Sequence, residues 1–179
     1  PHYYSSMAEW SHAFGGVPIH LHEADKRWIM RDDPAVSLWK GETKELLPGI
    51  TLICVGGHYP GGTVLHWDKG AGGTGALLSG DIVQVVADNK SVSFMWSFPN
   101  FIPLSAPRVE GVVKSLKDYK FDRIHGAFTD RTIWSDGKGG NVGWLVAGGN
   151  LHTVDLATGA AKSVGPVAGL AGSITDIAV

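Results

Sequence analysis

The sequence has few charged residues, no excess of basic ones and a single cysteine. Charged side chains make up 18% of its 179 residues, and 15 Lys and Arg against 17 Asp and Glu leave a formal net charge of -2. This balance argues against nucleic acid and against an anionic membrane surface as partners. The lone cysteine, Cys54 in an apolar run, excludes an internal disulfide framework and a cysteine-rich zinc module.

Long apolar runs are also missing. No stretch approaches the roughly 18 consecutive apolar residues of a membrane span, so we expect a soluble protein, with the cytoplasm as the favoured location. The chain begins at Pro1 without a basic or apolar leader, and we interpret this as a processed or truncated start. The length predicts one domain, or one domain with an appendage, and 44% hydrophobic residues suffice for a core.

Glycine and histidine are what the sequence has in quantity. It contains 25 glycines, about twice the usual share of roughly 7%, and 8 histidines. Many glycines indicate many tight turns, and histidines in such turns are candidate metal ligands.

Helix and strand patterns alternate in the first three quarters of the chain, which predicts an α/β layered domain. A capping box at Ser6 to Glu9 starts a short helix with Trp10 and Phe14 at helical spacing, and residues 23–30 predict a second helix with Trp28 inward. Residues 31–48 are mixed and charged and are predicted to be a loop.

From residue 50 onward, short β-rich runs lie between glycine turns and predict a sheet. An amphipathic helix over residues 106–119, capped by Ser105, interrupts them, with Val112 and Val113 on its apolar face. The predicted strands are 50–55, 63–67, 76–79, 82–86, 92–96 and 121–125.

Residues 135–141 lack any apolar side chain and divide the chain into two parts. We place an α/β domain at 1–138 and a β-rich tail at 139–179. In the tail, LHTVDLATGAAKSVGPV (residues 151–167) resembles one strand-turn-strand unit of the repeats of β-propeller proteins. A lone repeat cannot bury its own face, so we expect the tail to pack on this domain or on a partner.

The most informative motif is GGHYPGG, residues 56–62, because its glycines let His58 project from a tight turn between two strands. Asp81 follows another strand end, in LLSGD. An imidazole and a carboxylate on neighbouring strand-end loops are ligands that Zn²⁺ and Fe²⁺ take. His2, and His125 after the last strand of the domain, complete a possible set of three histidines and one aspartate.

These motifs resemble the metallo-β-lactamase-fold hydrolases over residues 1 to about 138, on the strength of PHYYSSMAEW, GGHYPGGTVLHW, LLSGD and FDRIHGAF. The resemblance implies an αββα sandwich, here partial and followed by a short β-rich extension. It implies a metal centre held by His2, His58, Asp81 and His125. Tyr4 and Ser5 stand where the family has two further ligands, so the resemblance implies a reduced site with one ion.

The function that follows is hydrolysis of a small ester, lactone or amide-like substrate by a metal-activated water. The metal, expected to be zinc, would lower the pKa of the bound water toward about 7 and polarise the carbonyl. Asp81 would orient that water, and Tyr3 or Tyr4 would donate a hydrogen bond to the developing oxyanion.

Two alternatives stay open. The first alternative is a mononuclear iron dioxygenase of the same fold, because two histidines and one carboxylate are also the ligands of non-haem Fe(II). The other is a non-catalytic, self-associating fragment or fusion with a vestigial metal site. In either case a sheet edge left open by the N-terminal truncation predicts a homo-oligomer.

Other candidate residues receive simpler interpretations. His22 is expected to cap the helix that begins at Glu23, and His20 and His66 are expected to lie outside the site. The glycine-rich residues 70–75 lack the Lys-Ser/Thr of a phosphate loop and are predicted to be a hairpin loop. Residues 96–101, WSFPNF, are able to line a pocket.

Overall fold

A computed structural model describes residues 4–134, 142–147, 150–155, 161–166 and 176–178. The helical elements are two 3₁₀ turns, Tyr4–Ser6 and Glu23–Trp28, and the helices α1 (Met7–Ala13), α2 (Gly70–Gly73) and α3 (Ala106–Leu116). The first six strands are β1 (Ile19–His22), β2 (Val36–Trp39), β3 (Thr43–Leu47), β4 (Ile50–Cys54), β5 (Thr63–Trp67) and β6 (Ala76–Gly80). The next six are β7 (Gln84–Val85), β8 (Val92–Ser93), β9 (Met95–Ser97), β10 (Ile102–Pro103), β11 (Arg123–Gly126) and β12 (Thr132–Trp134). The last four are β13 (Val142–Ala147), β14 (Asn150–Asp155), β15 (Ala161–Pro166) and β16 (Asp176–Ala178).

The largest sheet has six strands in the order β12-β11-β6-β5-β4-β3. It is mixed, because β11 runs parallel to β6 while the other neighbours are antiparallel. This confirms the α/β class predicted from the sequence. Within the described residues, no helix is long and apolar enough to cross a membrane.

The core lies between this sheet and α3. Val112 and Leu116 of the helix are buried in one cluster with Ile53, Val64 and Leu77 of the three central strands. Burying side chains of this size stabilises the folded state by about 1.5–3 kcal/mol each. The cluster therefore holds β4, β5 and β6 in place, and these strands lead into the turns that carry the candidate site.

The two N-terminal helical predictions are confirmed in position and corrected in detail. The first helix forms as α1, but the side chain of Ser6 makes no capping hydrogen bond, and Trp10 and Phe14 lie exposed with their rings stacked 5.9 Å apart. The second is a 3₁₀ turn, not an α-helix, and Trp28 is partly exposed rather than inward. Its N-cap is His22, whose ring accepts a hydrogen bond from the Ala24 amide, as predicted.

The prediction of a loop over residues 31–48 is wrong. Two strands form there: β2 pairs in parallel with β1, and β3 pairs with β4 at the edge of the large sheet. The charged residues Lys44 and Glu45 lie within β3, and alternate residues of this strand are exposed. An edge strand tolerates charges because one of its faces meets water.

The later elements follow the prediction with shorter limits. Residues 82–86 and 92–96 form only the two-residue strands β7 and β8, which pair with each other, and the three-residue β9. The helix predicted over 106–119 ends at Leu116, and Val113, expected on its apolar face, is about half exposed. Residues 70–73 form one irregular turn, α2, in which Ala71 and Gly72 have left-handed backbone angles.

The described part of the tail forms a four-stranded antiparallel sheet in the order β15-β14-β13-β16. Within this sheet β14 pairs with β15, but the propeller interpretation is unconfirmed. The turn of the motif and the break at residues 135–141 lie outside the described residues. The boundary at 138 stays a prediction.

Candidate functional site

His58 lies in a tight turn that joins β4 to β5. The preceding Gly56 and Gly57 both have positive φ angles, which an L side chain rarely adopts. The amides of Val55 and Gly56 both donate to the carbonyl of Gly62, at 2.9 and 3.0 Å. A Cβ on Gly62 would collide with the Gly56 carbonyl oxygen, so glycine is required there. The glycines of the motif thus close the turn and present His58, as the sequence predicted.

Two contacts from outside the turn hold it against the rest of the domain. The Gly61 amide donates to the buried carboxylate of Asp25 at 2.9 Å. The Nδ1 atom of His58 lies 3.0 Å from the carbonyl oxygen of Met95 in β9. A carbonyl only accepts, so Nδ1 carries the proton, and in the neutral ring Nε2 carries the lone pair. Histidines that bind metals commonly have this second contact to a backbone carbonyl.

Asp81 directly follows β6, after Gly80 with its positive φ angle. Its Oδ2 atom lies 3.9 Å from Nε2 of His58. The two side chains are 7% and 13% exposed, so the pair is largely shielded from water. The structure therefore brings His58 and Asp81 together at one end of the sheet, as predicted, and it directs the lone-pair nitrogen of the ring toward the carboxylate.

A cavity of about 670 Å³ opens beside this pair, and we call it the His58–Asp81 cavity. Aromatic side chains dominate its walls. The ring of His58 packs edge-on against Tyr59 and Phe98, with centroids 4.7 and 5.2 Å apart. The remaining wall residues are Trp96, Ser97, Pro99 and Phe128. The predicted pocket-lining segment 96–101 thus supplies one wall, whereas nothing in the sequence pattern indicated Phe128.

His125 is the next-to-last residue of β11, which runs parallel to β6, and it therefore lies toward the same end of the sheet as Asp81. Its Nδ1 atom is 3.1 Å from the hydroxyl of Thr132 in β12. Burial, and to a lesser degree the charge of Arg123, lowers the pKa of the imidazole. His125 is thus a ring held by Thr132 toward the same end of the sheet, with a pKa that favours its neutral form.

Tyr4, a predicted catalytic residue, lies in the first 3₁₀ turn and is partly buried. Burial, with the charges of Asp25 and Tyr59, raises the pKa of its phenol to about 12. The phenol therefore stays protonated at neutral pH and can donate a hydrogen bond. The other two N-terminal candidates, His2 and Tyr3, lie outside the described residues.

In the part of the chain that the structure describes, no three His, Cys, Asp or Glu side chains converge closely enough to hold a metal ion. The observed donors are an imidazole nitrogen and a carboxylate oxygen, and both fit a divalent metal such as zinc. His58 and Asp81 can supply two of the donors that such an ion needs. Further donors, predicted to be His2 and His125, stay a prediction.

The histidines expected to lie outside the site do so. The His20 ring is 3.2 Å from the Lys44 ammonium, and the buried His66 ring donates to the Lys120 carbonyl at 2.8 Å. Both rings have structural partners remote in sequence.

Comparison with known proteins finds a relative whose sequence is substantially identical to part of this chain. No family model matches the chain. Over 129 residues it is 49% identical to YmaE of Bacillus subtilis strain 168, a protein described as uncharacterised; the match covers 72% of this chain and 47% of YmaE. The chain therefore spans about half the length of this relative.

Among solved structures, similarity is found to an N-acyl homoserine lactone hydrolase with the product N-hexanoyl-L-homoserine at its catalytic metal centre. It is also found to a mutant of B. thuringiensis AiiA with N-decanoyl-L-homoserine at its active site. Both are 21% identical to this chain, with a TM-score of 0.43, over 62% of this chain and 45% of theirs. Likenesses of this size do not establish what the chain does.

Proposed function

We propose that the chain carries the active site of a metal-dependent hydrolase for a small ester, lactone or amide-like substrate. One observation carries the proposal: Nε2 of His58 faces the Asp81 carboxylate at 3.9 Å, with Nδ1 engaged by a backbone carbonyl, beside a cavity of about 670 Å³. A shielded donor pair that lines a cavity large enough for a small molecule is the arrangement such a site needs.

The metal would be held by His58 and Asp81, with His2 and His125 as the further ligands. When bound, a zinc ion would supply an activated water and polarise the scissile carbonyl. Asp81 is the only negatively charged residue among these four proposed ligands.

The chain's own residues have three further roles in this proposal. Asp81 accepts a hydrogen bond from the attacking water and orients it. The protonated phenol of Tyr4, or that of Tyr3, donates to the oxygen on which negative charge develops. The aromatic walls Trp96, Phe98 and Phe128 receive the apolar part of the substrate and limit the access of bulk water.

The test is elemental analysis of the purified chain together with hydrolysis of a p-nitrophenyl ester and of a simple lactone, with and without chelator. We expect zinc near one equivalent and hydrolysis that the chelator abolishes and zinc restores. Iron with oxygen consumption would replace the proposal with the dioxygenase alternative. Absence of bound metal, with no activity after zinc is added, would replace it with the non-catalytic one.

Self-association is a separate proposal. The edges of the six-stranded sheet are β3 and β12 among the described strands, and an open edge is a template for pairing with another chain. Light scattering at micromolar concentration should show a species larger than the monomer, and a monomer alone would contradict this.

A further inference from the structure

A second cavity, of about 550 Å³, is also lined by His58. We call it the arginine pocket, because Arg27 and Arg108 both lie in its walls. It shares four wall residues with the His58–Asp81 cavity: His58, Tyr59, Trp96 and Ser97. The two cavities are therefore neighbours that share these four side chains.

Each arginine of the pocket stacks on the ring of a tryptophan. The guanidinium carbon of Arg27 is 4.7 Å from the ring centroid of Trp28, and that of Arg108 is 4.6 Å from the ring centroid of Trp96. Stacking on an aromatic face restricts a guanidinium while leaving its N–H groups at the edge available. The planar fork of donors matches the oxygens of a carboxylate or a phosphate.

No acidic side chain in the described part of the chain pairs with either guanidinium, and none lines the pocket. Arg31 differs, because its guanidinium is 2.6 Å from the Glu9 carboxylate. The pocket thus concentrates positive charge in a chain whose formal net charge is -2. Two like charges facing one cleft repel each other, and an anion that enters relieves this repulsion.

Contacts link the pocket directly to the candidate site. The ring of Trp28 packs edge-on against Tyr59 with centroids 5.6 Å apart, and Tyr59 packs on His58 at 4.7 Å. On the other wall, Trp96 follows Met95, whose carbonyl holds His58. A molecule in the pocket would therefore lie against the residues that position the imidazole.

We propose that the arginine pocket is a binding site for the carboxylate or phosphate group of a small molecule with an apolar or aromatic part. The guanidinium groups of Arg27 and Arg108 bind the anionic oxygens, while Trp28 and Trp96 contact the apolar part. That this molecule is the substrate rests on the proposed hydrolase function, whereas anion binding itself does not.

The first test measures binding to the metal-free chain at constant ionic strength, by calorimetry and by tryptophan fluorescence. The probes are benzoate, phenyl phosphate and the neutral benzamide. We expect whichever anion fits, carboxylate or phosphate, to bind at least about tenfold more tightly than benzamide, and Arg27→Gln or Arg108→Gln to remove about tenfold of that affinity. Equal binding of the three probes would overturn the proposal.

Arg123→Gln is the matched control. Arg123 also stacks on a tryptophan, with its guanidinium carbon 3.6 Å from the ring centroid of Trp134, but it does not line the pocket. This variant should bind benzoate and phenyl phosphate as the unaltered chain does. An equal loss in Arg123→Gln and Arg27→Gln would mean that the anion responds only to overall charge, and it too would overturn the proposal.

The second test separates the pocket from the hydrolase function. Two phenyl esters are compared, one with a terminal carboxylate on the acyl chain and one with a methyl group in its place. Preference for the charged ester that Arg108→Gln abolishes, with metal content unchanged, supports both. Anion binding without any hydrolysis leaves the pocket standing and removes the hydrolase. Metal-dependent hydrolysis without preference for the charged ester, and without response to Arg108→Gln, supports the hydrolase and rejects the pocket as a site for its substrate.

Discussion

His58 and His125 come from the same end of one sheet, yet the structure places their rings in different surroundings. His58 sits in a glycine turn with Nδ1 on a backbone carbonyl and Nε2 facing a carboxylate. His125 is the next-to-last residue of a parallel strand, with Nδ1 near the hydroxyl of Thr132, and burial together with the charge of Arg123 lowers the pKa of its ring. The Met95 carbonyl thus defines the tautomer of His58, whereas the partner of His125, a hydroxyl, can donate or accept.

Because of this difference, we expect the two rings to contribute unequally to metal binding. A ring with one defined lone pair beside a carboxylate is preorganised as a ligand. A ring held by a hydroxyl depends on that hydroxyl for its orientation. We therefore expect the His58–Asp81 pair to dominate metal affinity and His125 to contribute less.

Replacing Asp81 should have the largest effect. Asp81→Asn keeps the size of the side chain but removes the negative charge of the proposed ligand set. Because changes even to groups behind the ligands lower metal affinity by about 10–100-fold, we expect a loss of more than about 100-fold in zinc affinity, with hydrolysis lost in parallel. Zinc titration by calorimetry measures it.

His58→Gln should resemble Asp81→Asn, and the double variant should be no worse than either single one, because the two residues act as one unit. His20→Gln is the control and should keep full metal affinity. Unchanged zinc stoichiometry and activity in Asp81→Asn would contradict the hydrolase proposal.

Gly62→Ala tests whether the turn itself positions His58. The added Cβ would collide with the Gly56 carbonyl oxygen, so the turn must open and move the ring. Misplacement of a reacting group by about 1 Å lowers rates about 100-fold, and we expect a loss of that order in ester hydrolysis. Gly111→Ala is the control: its Cβ meets open space on α3, so it should keep activity and raise the free energy of unfolding by up to about 1 kcal/mol. Equal rates for both variants would refute the positional role of the turn.

Thr132→Val tests the contribution of His125 to metal binding. It removes the hydroxyl beside Nδ1 of His125 and leaves the shape of the side chain almost unchanged. If His125 is a ligand, loss of this partner should lower zinc affinity about tenfold, less than the loss in Asp81→Asn. An affinity equal to that of the unaltered chain would remove His125 from the ligand set.

The smallest expected effect is that of His20→Gln on the pH dependence of stability. Burial and the neighbouring Lys44 lower the pKa of His20 in the folded chain. The unfolded chain, whose histidine pKa is about 6.5, therefore binds the proton more readily, and stability is lost as pH falls below that value. Urea unfolding at pH 7.5 and pH 5 should show a smaller pH-dependent loss in His20→Gln. An identical loss would show that the pKa of His20 is not lowered in the folded chain.

The sequence predicted the local parts of the site and missed the parts made by distant residues. A glycine turn is encoded by adjacent residues, so the presentation of His58 could be read directly. The Met95 carbonyl lies 37 positions away, and it meets the ring only through tertiary packing. Likewise, nothing near Arg27 in the sequence indicates that it shares a cavity with Arg108.

The missed edge strand has a related cause. Lys44 and Glu45 indicate a solvated loop when considered alone, but backbone pairing with β4 makes their segment a strand. Such pairing depends on a partner strand and on which face meets water, and neither is a property of the residues themselves. The strands β4, β5 and β6 follow from the sequence because their β-rich runs lie between glycine turns.

The most direct test of the account is zinc titration of the chain labelled with ¹⁵N at its histidines, followed by NMR. We predict that Nε2 of His58 shifts on zinc binding, while Nδ1 keeps its proton and its hydrogen bond to Met95, and that this response disappears in Asp81→Asn. A shift at Nδ1, or no shift in either nitrogen of His58 while zinc binds elsewhere, would contradict the central claim that His58 and Asp81 form the metal-binding pair.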